Sequence, residues 1–385
     1  MCLKGLERNS RSKLVNILHI NSYLVDRFFY NNLYEEQIAN NHNVSVYVSI
    51  AKGGSKEASA LGSHIVVKED FYNLEKIFFF VKQNKIIQAL EKQFDINKYD
   101  IIHAHSLFTN GYVAMRLAHK YQKPYVVAVR NGDVNIFFKK MIFLRRVGRK
   151  ILENASAIIF LSNTYKNLVI DRYVASTWQH ITEEKSYIIP NGVDDFWIKN
   201  INLPKSLEIK SIINAIYVGE ITDNKNIVKS AKALSLMAQE GYQITFTIIG
   251  KIKEKKVFAA LSKYPFIVYK GQMKKELLIN EYRKNDIFLM PSKTEAFGLV
   301  YAEAISQGLP VIYTKNQGFD GQFEDGIVGY SVDCFDAEDI MKKIKMIIER
   351  YDEISRNCID RADNFSWKKY TCQYEKIYEE INYNC

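Results

Sequence analysis

Long apolar runs are missing from this 385-residue sequence: none approaches the roughly 18 residues that a membrane-crossing helix needs, the longest being broken by Lys, Asn or Gln. The chain is therefore expected not to span a bilayer. A secretory leader is not expected either. Lys4, Glu7, Arg8, Arg11 and Lys13 precede only a short strand-like run, Leu14 to Ile20, which contains His19 and leads to no small-residue cleavage site. Cysteine is scarce and scattered, at positions 2, 334, 358, 372 and 385, with no CxxC pair; these read as reduced thiols in a cytoplasmic setting. His103 and His105 stand two apart without Cys or His partners nearby in sequence, so no metal and no cofactor is expected. Internal repeats and low-complexity tracts are absent as well.

What is present is a globular composition, 47% hydrophobic and 25% charged, at about twice the length of an ordinary domain, so two domains are the first expectation. The net charge of +10 is lodged in one half: residues 1–190 hold 26 Lys and Arg against 16 Asp and Glu, while residues 191–385 hold 27 of each. That asymmetry implies an anionic partner for the first domain only: nucleic acid, a phospholipid surface or a phosphate-bearing acceptor. Short β-branched and aromatic runs alternate with longer stretches of helical period, the pattern of a parallel sheet covered by helices. Strands are expected at 14–20, 44–48, 101–103, 125–129, 157–161 and 187–189, then at 214–218, 243–249, 266–269, 287–290 and 310–313. Each set suffices for one doubly wound sheet. Between them, 195–211 mixes polar residues with Pro204 and lacks periodicity, which places the linker there. A final helix over 365–381, with Trp367, Tyr370, Tyr374 and Ile377 near helical spacing, must dock on an apolar surface.

The densest signal is PSKTEAFGLVYAEAISQGLPVI, Pro291 to Ile312, directly after the apolar IFLM. It reads as strand, loop and helix, with Phe297, Gly298, Leu299 and Val300 near the helix start, where free N–H groups and the dipole favour a phosphate. Glu295 projects from the loop and Glu303 lies about two turns into the helix; ionised carboxylates there accept hydrogen bonds from sugar hydroxyls. The plainer alternative is a helix cap with a solvated Glu. VGEITDNK, Val218 to Lys225, supplies a second phosphate candidate at the end of the second domain's first strand, with Lys225 as the diphosphate cation or a solvated surface Lys.

Taken together, these residues resemble the family 4 retaining glycosyltransferases of GT-B fold. The likeness rests on IIPNGVD from Ile188, Gly219 with Lys225, the E-x7-E pair Glu295 and Glu303, Gly308, Pro310, DGIVGYSVD from Asp325 and FSW from Phe365. The resemblance implies an α/β chain of two Rossmann-like doubly wound domains facing across a cleft: 1–200 binding acceptor, 201–366 binding nucleotide sugar, and 367–385 a helix returning to the first domain. It also implies that Lys225 grips the donor diphosphate, Glu295 reads the sugar and Glu303 binds the ribose. The departing phosphate would take the acceptor proton, with Lys225 and helix N-terminal amides stabilising its charge. No Asp-x-Asp motif is present, in keeping with metal-independent chemistry.

Two positions depart from the family. Glu220 stands where an Arg usually follows the diphosphate glycine, and Arg130 stands where a His often follows the strand VVAV, ahead of Asn131, Gly132 and Asp133. Arg130 is expected either to supply the missing donor charge or to be a surface Arg. The loop NSYLVD, from Asn21, lacks the glycines often found there. His105, in IIHAHS, is a candidate for the acceptor or donor sugar or a local structural donor, and Asp133 and Asn191 are cleft candidates, the Asn191–Gly192 turn being its own alternative explanation. FFKKMIFLRRVGRKIL, Phe137 to Leu152, interleaves six cations with apolar residues, suiting either an anionic membrane carrying a lipid-linked acceptor or an ordinary helix with a solvated basic face. No nucleic-acid motif accompanies it. The reading is a cytoplasmic or inner-membrane-peripheral hexosyltransferase using a UDP sugar in capsule, lipopolysaccharide or glycolipid assembly. Its rivals are a sugar-nucleotide epimerase and a non-catalytic sugar-nucleotide- or membrane-binding subunit.

Overall fold

The computed structural model describes residues 14–25 and 29–383; the N-terminal cations through Lys13, Asp26 of the NSYLVD loop, Cys2 and Cys385 lie outside them. Packing divides the chain into two units, Met1–Ile159 with Thr371–Cys385, and Phe160–Tyr370. Among the described residues there are two sheets, seven-stranded and six-stranded. The first contains β1 (Asn16–Ile20), β2 (Asn43–Ala51), β3 (Ile65–Phe71), β4 (Ile101–Ala104), β5 (Tyr125–Ala128), β6 (Ala157–Phe160) and β7 (Ser186–Ile188), in the order β3-β2-β1-β4-β5-β6-β7. The second contains β8 (Ile212–Val218), β9 (Gln243–Ile249), β10 (Ile267–Tyr269), β11 (Ile287–Leu289), β12 (Val311–Thr314) and β13 (Gly329–Val332), ordered β10-β9-β8-β11-β12-β13. The pairings around β1, β4, β8 and β11 are parallel. Both sheets reverse strand order beside their first strand, the point where doubly wound folds take ligands.

Helices on both faces explain why the central strands are apolar on both sides: Ile17, Leu18, Ile101, Ile102, Ile216 and Phe288 are fully buried. His19 and His103 break that rule inside the first sheet, and both are also fully buried. Two strands escaped sequence reading. β3, IVVKEDF, is an edge strand that leaves Lys68 and Glu69 exposed, so its pattern is half polar; β13 is only four residues long and opens on Gly329. Residues 137–152 are not one helix. A π-turn (Asp133–Phe138) and a 3-10 turn (Ile142–Leu144) precede a helix that starts at Arg145, whose Nε donates to the Phe138 carbonyl at 2.7 Å.

The last helix, Trp367–Tyr383, begins in the second unit and ends in the first. Trp367, Tyr370, Tyr374, Ile377, Tyr378 and Ile381 are buried at intervals of three and four, one stripe of the helix surface. Each such side chain contributes about 1.5–3 kcal/mol on burial, so the stripe dominates the helix's stability. Among the described residues no helix is long and apolar enough to cross a membrane.

Candidate functional site

In the second unit, the loops following β8 and β11 are strapped to each other by main-chain and side-chain bonds. Asn226, in the left-handed conformation that Asn tolerates, donates from Nδ2 to the carbonyls of Pro291 (3.1 Å) and Cys334 (2.6 Å). The Lys293 amide donates to the Asn224 carbonyl at 2.8 Å, and Asn224 Nδ2 returns a bond to the Thr294 carbonyl at 2.9 Å. These straps bring Lys225 Nζ to 2.5 Å from Glu295 Oε2, with the two side chains 23% and 15% exposed. The ion pair is part-buried yet open enough to meet a solute. It is held by the loops rather than holding them.

Beyond Glu295 the chain turns through Gly298, at φ +80°, into the helix Leu299–Ser306. A Cβ on Gly298 would lie 2.6 Å from the Tyr301 ring, so the turn that aims the first amides of this helix admits no side chain. Phe297 is not a surface contact: it is 2% exposed and packs against Phe319 and Phe365. Glu303 accepts a hydrogen bond from Tyr282 Oη at 3.1 Å. Burial raises its carboxyl to about 7; the Tyr282 bond and Lys275 oppose that rise and Asp194, paired to Lys275 at 2.6 Å, adds to it.

A cavity of about 430 Å³ opens at the carboxyl ends of β8 and β9, lined by Gly219, Glu220, Gly250, Lys251, Gln272 and Met273 among others. Its volume falls in the range of small-molecule sites. Glu220 is exposed there and pairs with Lys253, a cavity-lining residue too, at 3.3 Å.

In the first unit the equivalent strand ends carry buried histidines. His19 and His103 are register partners on β1 and β4, and His105, two residues on, shares their side of the sheet. Gln37 Oε1 lies 2.9 Å from His19 Nε2, so that nitrogen carries the proton and His19 Nδ1 accepts from His105 Nε2 at 3.0 Å. Tyr378 accepts from Gln37 Nε2 at 3.5 Å and donates to His103 Nδ1 at 2.6 Å. Burial holds His19 down to about 3, and His103 and His105 well below the usual histidine range, so all three are neutral. Three imidazoles with ligand atoms within 4.8 Å are a chemically plausible metal set, and His19 reached it from far outside the local spacing. Two of the nitrogens are already bonded to each other, however, and the Arg130 charge further disfavours a cation beside His103 and His105. The set works as a neutral hydrogen-bonded network.

Arg130 is 5% exposed: its Nε donates to the His105 carbonyl at 3.0 Å, its guanidinium lies 5.5 Å from the Tyr30 ring centre, and it hydrogen-bonds Tyr374 of the last helix. Asp133 accepts from the amides of Leu107, Phe108 and Arg130 at 2.9, 3.1 and 2.8 Å. Burial raises its carboxyl to about 6 against the pull of those amides. Asp133 thus fixes the loop after β4. Asn191 is 5% exposed in the second unit, next to Gly192, where a Cβ would meet the Trp367 ring at 2.6 Å; Val193 then bridges Ser366. PNGVD and FSW are therefore two sides of one packing contact.

Two family profiles cover most of the chain end to end, Glycosyltransferase Family 4 over residues 29–195 and Glycosyl transferases group 1 over residues 200–365. The chain belongs to glycosyltransferase family 4. A relative from the cps region of Klebsiella pneumoniae, an uncharacterized 41.2 kDa protein, is 25% identical over 346 residues, 84% of this chain and 93% of its own. Among solved structures, sucrose-phosphate synthase from Thermosynechococcus elongatus superposes with a TM-score of 0.74 at 17% identity, over 96% of this chain and all of that one. HepE of Anabaena, solved with UDP and glucose, gives 0.68 at 17% identity over 94% and 98%. The fold is that of the GT-B glycosyltransferases.

For this family 4 glycosyltransferase the structure joins Lys225 to Glu295, sets Gly298, Leu299 and Glu303 on the adjoining turn and helix, and places Gly219 on the cavity wall. His105, Arg130 and Asp133 form a second group, inside the first unit. Sequence reading missed the cavity residues Gly250, Lys251, Gln272 and Met273. The one signal for them was the glycine after the apolar run 243–249, a strand-end glycine like Gly219.

Proposed function

We propose that this glycosyltransferase moves a hexose from a nucleoside-diphosphate sugar, a UDP sugar, to a lipid-linked or saccharide acceptor in surface polysaccharide or glycolipid assembly, with retention at the anomeric carbon. The Lys225–Glu295 pair, strapped beside the Gly298 turn, carries the reading. It offers one cation for a diphosphate and one carboxylate for the hydroxyls of the sugar attached to it. The cavity between Gly219 and Met273 has room for the base, and the ribose is assigned to Glu303. HepE's complex with UDP and glucose and the cps-region relative support the donor and the pathway class.

In the transfer, the bond from C1 to the diphosphate oxygen breaks as the acceptor oxygen bonds C1 from the same side, and the acceptor proton passes to the leaving phosphate. Lys225 and the amides at Leu299 and Val300 stabilise the charge that builds on that phosphate. No metal is assigned a part. Glu220 keeps a second reading in play, a subunit that binds donor without turnover, because it sets a carboxylate on the cavity wall. A panel of nucleotide sugars, assayed for hydrolysis and transfer with Lys225→Ala and Glu295→Ala alongside, decides. Turnover of one donor that both substitutions abolish supports the proposal, whereas donor binding without turnover, lipid extracts included, rejects it for the subunit.

A further inference from the structure

The first unit exposes an unusual amount of apolar surface in two segments far apart in sequence. Leu74, Ile77, Phe78, Phe80 and Val81 are 77, 74, 62, 47 and 50% exposed; Ile136, Ile142 and Phe143 are 51, 63 and 66% exposed. Buried Phe79 joins the two segments, its ring 6.3 Å from that of Phe137, and both it and Phe80 pack on Tyr112. Phe137 in turn stacks on fully buried Phe108 at 4.7 Å, so the platform beneath the exposed side chains is rigid. A scatter of single exposed hydrophobics needs no explanation, but a contiguous group of this size does.

The charges around it select the occupant. Lys76, Lys139, Lys140, Arg146 and Lys150 are exposed along the same two segments, and Arg116 lies over Tyr112. Residues 134–152 contain no acidic side chain. Two copies of the chain meeting through this patch would bring cation against cation. An anionic bilayer meets the same patch with phosphate at the rim and acyl chains at the centre.

We infer that residues 74–81 and 136–146 form one insertion surface for an anionic lipid bilayer, the aromatic and aliphatic tips entering the acyl boundary and the lysines and arginines pairing with headgroup phosphates. This deepens the proposed function by stating where a lipid-linked acceptor is met, and it rests on that reading only for the acceptor. The docking itself requires no donor.

Co-sedimentation of the full chain with vesicles of phosphatidylcholine alone, or mixed three to one with phosphatidylglycerol, tests it. The protein should pellet with the mixed vesicles and not with the neutral ones. Phe78→Ser with Phe80→Ser, and separately Ile142→Ser with Phe143→Ser, should each lower partitioning about tenfold or more. Lys139→Ala with Lys140→Ala should lower it about fivefold per cation removed. All six positions are exposed, and unchanged melting temperatures would exclude misfolding as the cause. Equal binding to both vesicle types, or a loss caused by only one of the two apolar pairs, overturns the single anionic surface. A dimer in solution that these substitutions dissociate, with no vesicle binding by the wild type, overturns it in favour of a second copy. Donor hydrolysis in detergent, followed in parallel, reports separately on the proposed chemistry: its loss with vesicle binding intact would defeat that reading and not this one.

Discussion

The two sheets share one strand order and put opposite contents at the point where it reverses. Beyond β1 and β4 lie neutral, fully buried imidazoles bonded to one another, to Gln37 and to Tyr378. Beyond β8 and β11 lies a charged, accessible pair, and an open cavity lies at the ends of β8 and β9. Topology supplies the same location twice. Whether it becomes a site is decided by whether the side chains there are neutral and buried or charged and within reach of a solute.

The largest contrast is expected from Lys225→Ala. It should cut transfer by about 10²–10³-fold, the loss typical of removing one donor to a developing anion, while moving Tm by little because the straps around Asn226 remain. Steady-state kinetics with a melting curve checks both halves. Arg130→Ala should do the reverse, lowering unfolding free energy by about 3 kcal/mol through a lost buried cation and orphaned partners, with UDP affinity by calorimetry unchanged. A fall in UDP affinity would restore Arg130 as a donor contact. Tyr378→Phe removes the bond to His103 Nδ1 and should cost about 1–2 kcal/mol in urea unfolding, with the KM for donor unaltered.

The smallest effect is in the pH dependence, where the buried histidines and the buried carboxyls pull in opposite directions. The buried histidines stay neutral when folded and protonate near 6.5 when unfolded, so the stability they allow is lost as pH falls below about 6.5. Glu303 has its folded value raised from 4.5 to about 7, so its contribution is present at low pH and lost as pH rises through that window. Asp133, raised from 3.8 to about 6, has the same sign in the first unit. Glu303→Gln should therefore steepen the acid-side fall in stability by up to about one proton's worth between pH 5 and 7. An unchanged slope would mean that Glu303 ionises as it does in the unfolded chain.

Much of this was legible in the sequence because it was local. Gly298, Glu295 and Glu303 fall within nine residues after an apolar strand, and spacing alone put them on one turn and one helix. The cavity was not legible, since Gly219, Gly250 and Met273 follow three separate strands that only the β8–β9 and β9–β10 pairings unite. Arg130 was illegible in another way. Nothing in VVAVRNGD distinguishes a guanidinium aimed at a ligand from one covered by Tyr30 and Tyr374, the second of which lies more than two hundred residues on. The His19–His105 bond was hidden for the same reason, and β3 because an edge strand need not be apolar.

The last helix also imposes an order on synthesis. Residues 160–370, the whole of the second unit, are synthesised before Tyr374 and Tyr378. Until then His103 lacks its Tyr378 hydroxyl and Arg130 its Tyr374 partner, so the half of the protein translated first is the half whose interior is completed last.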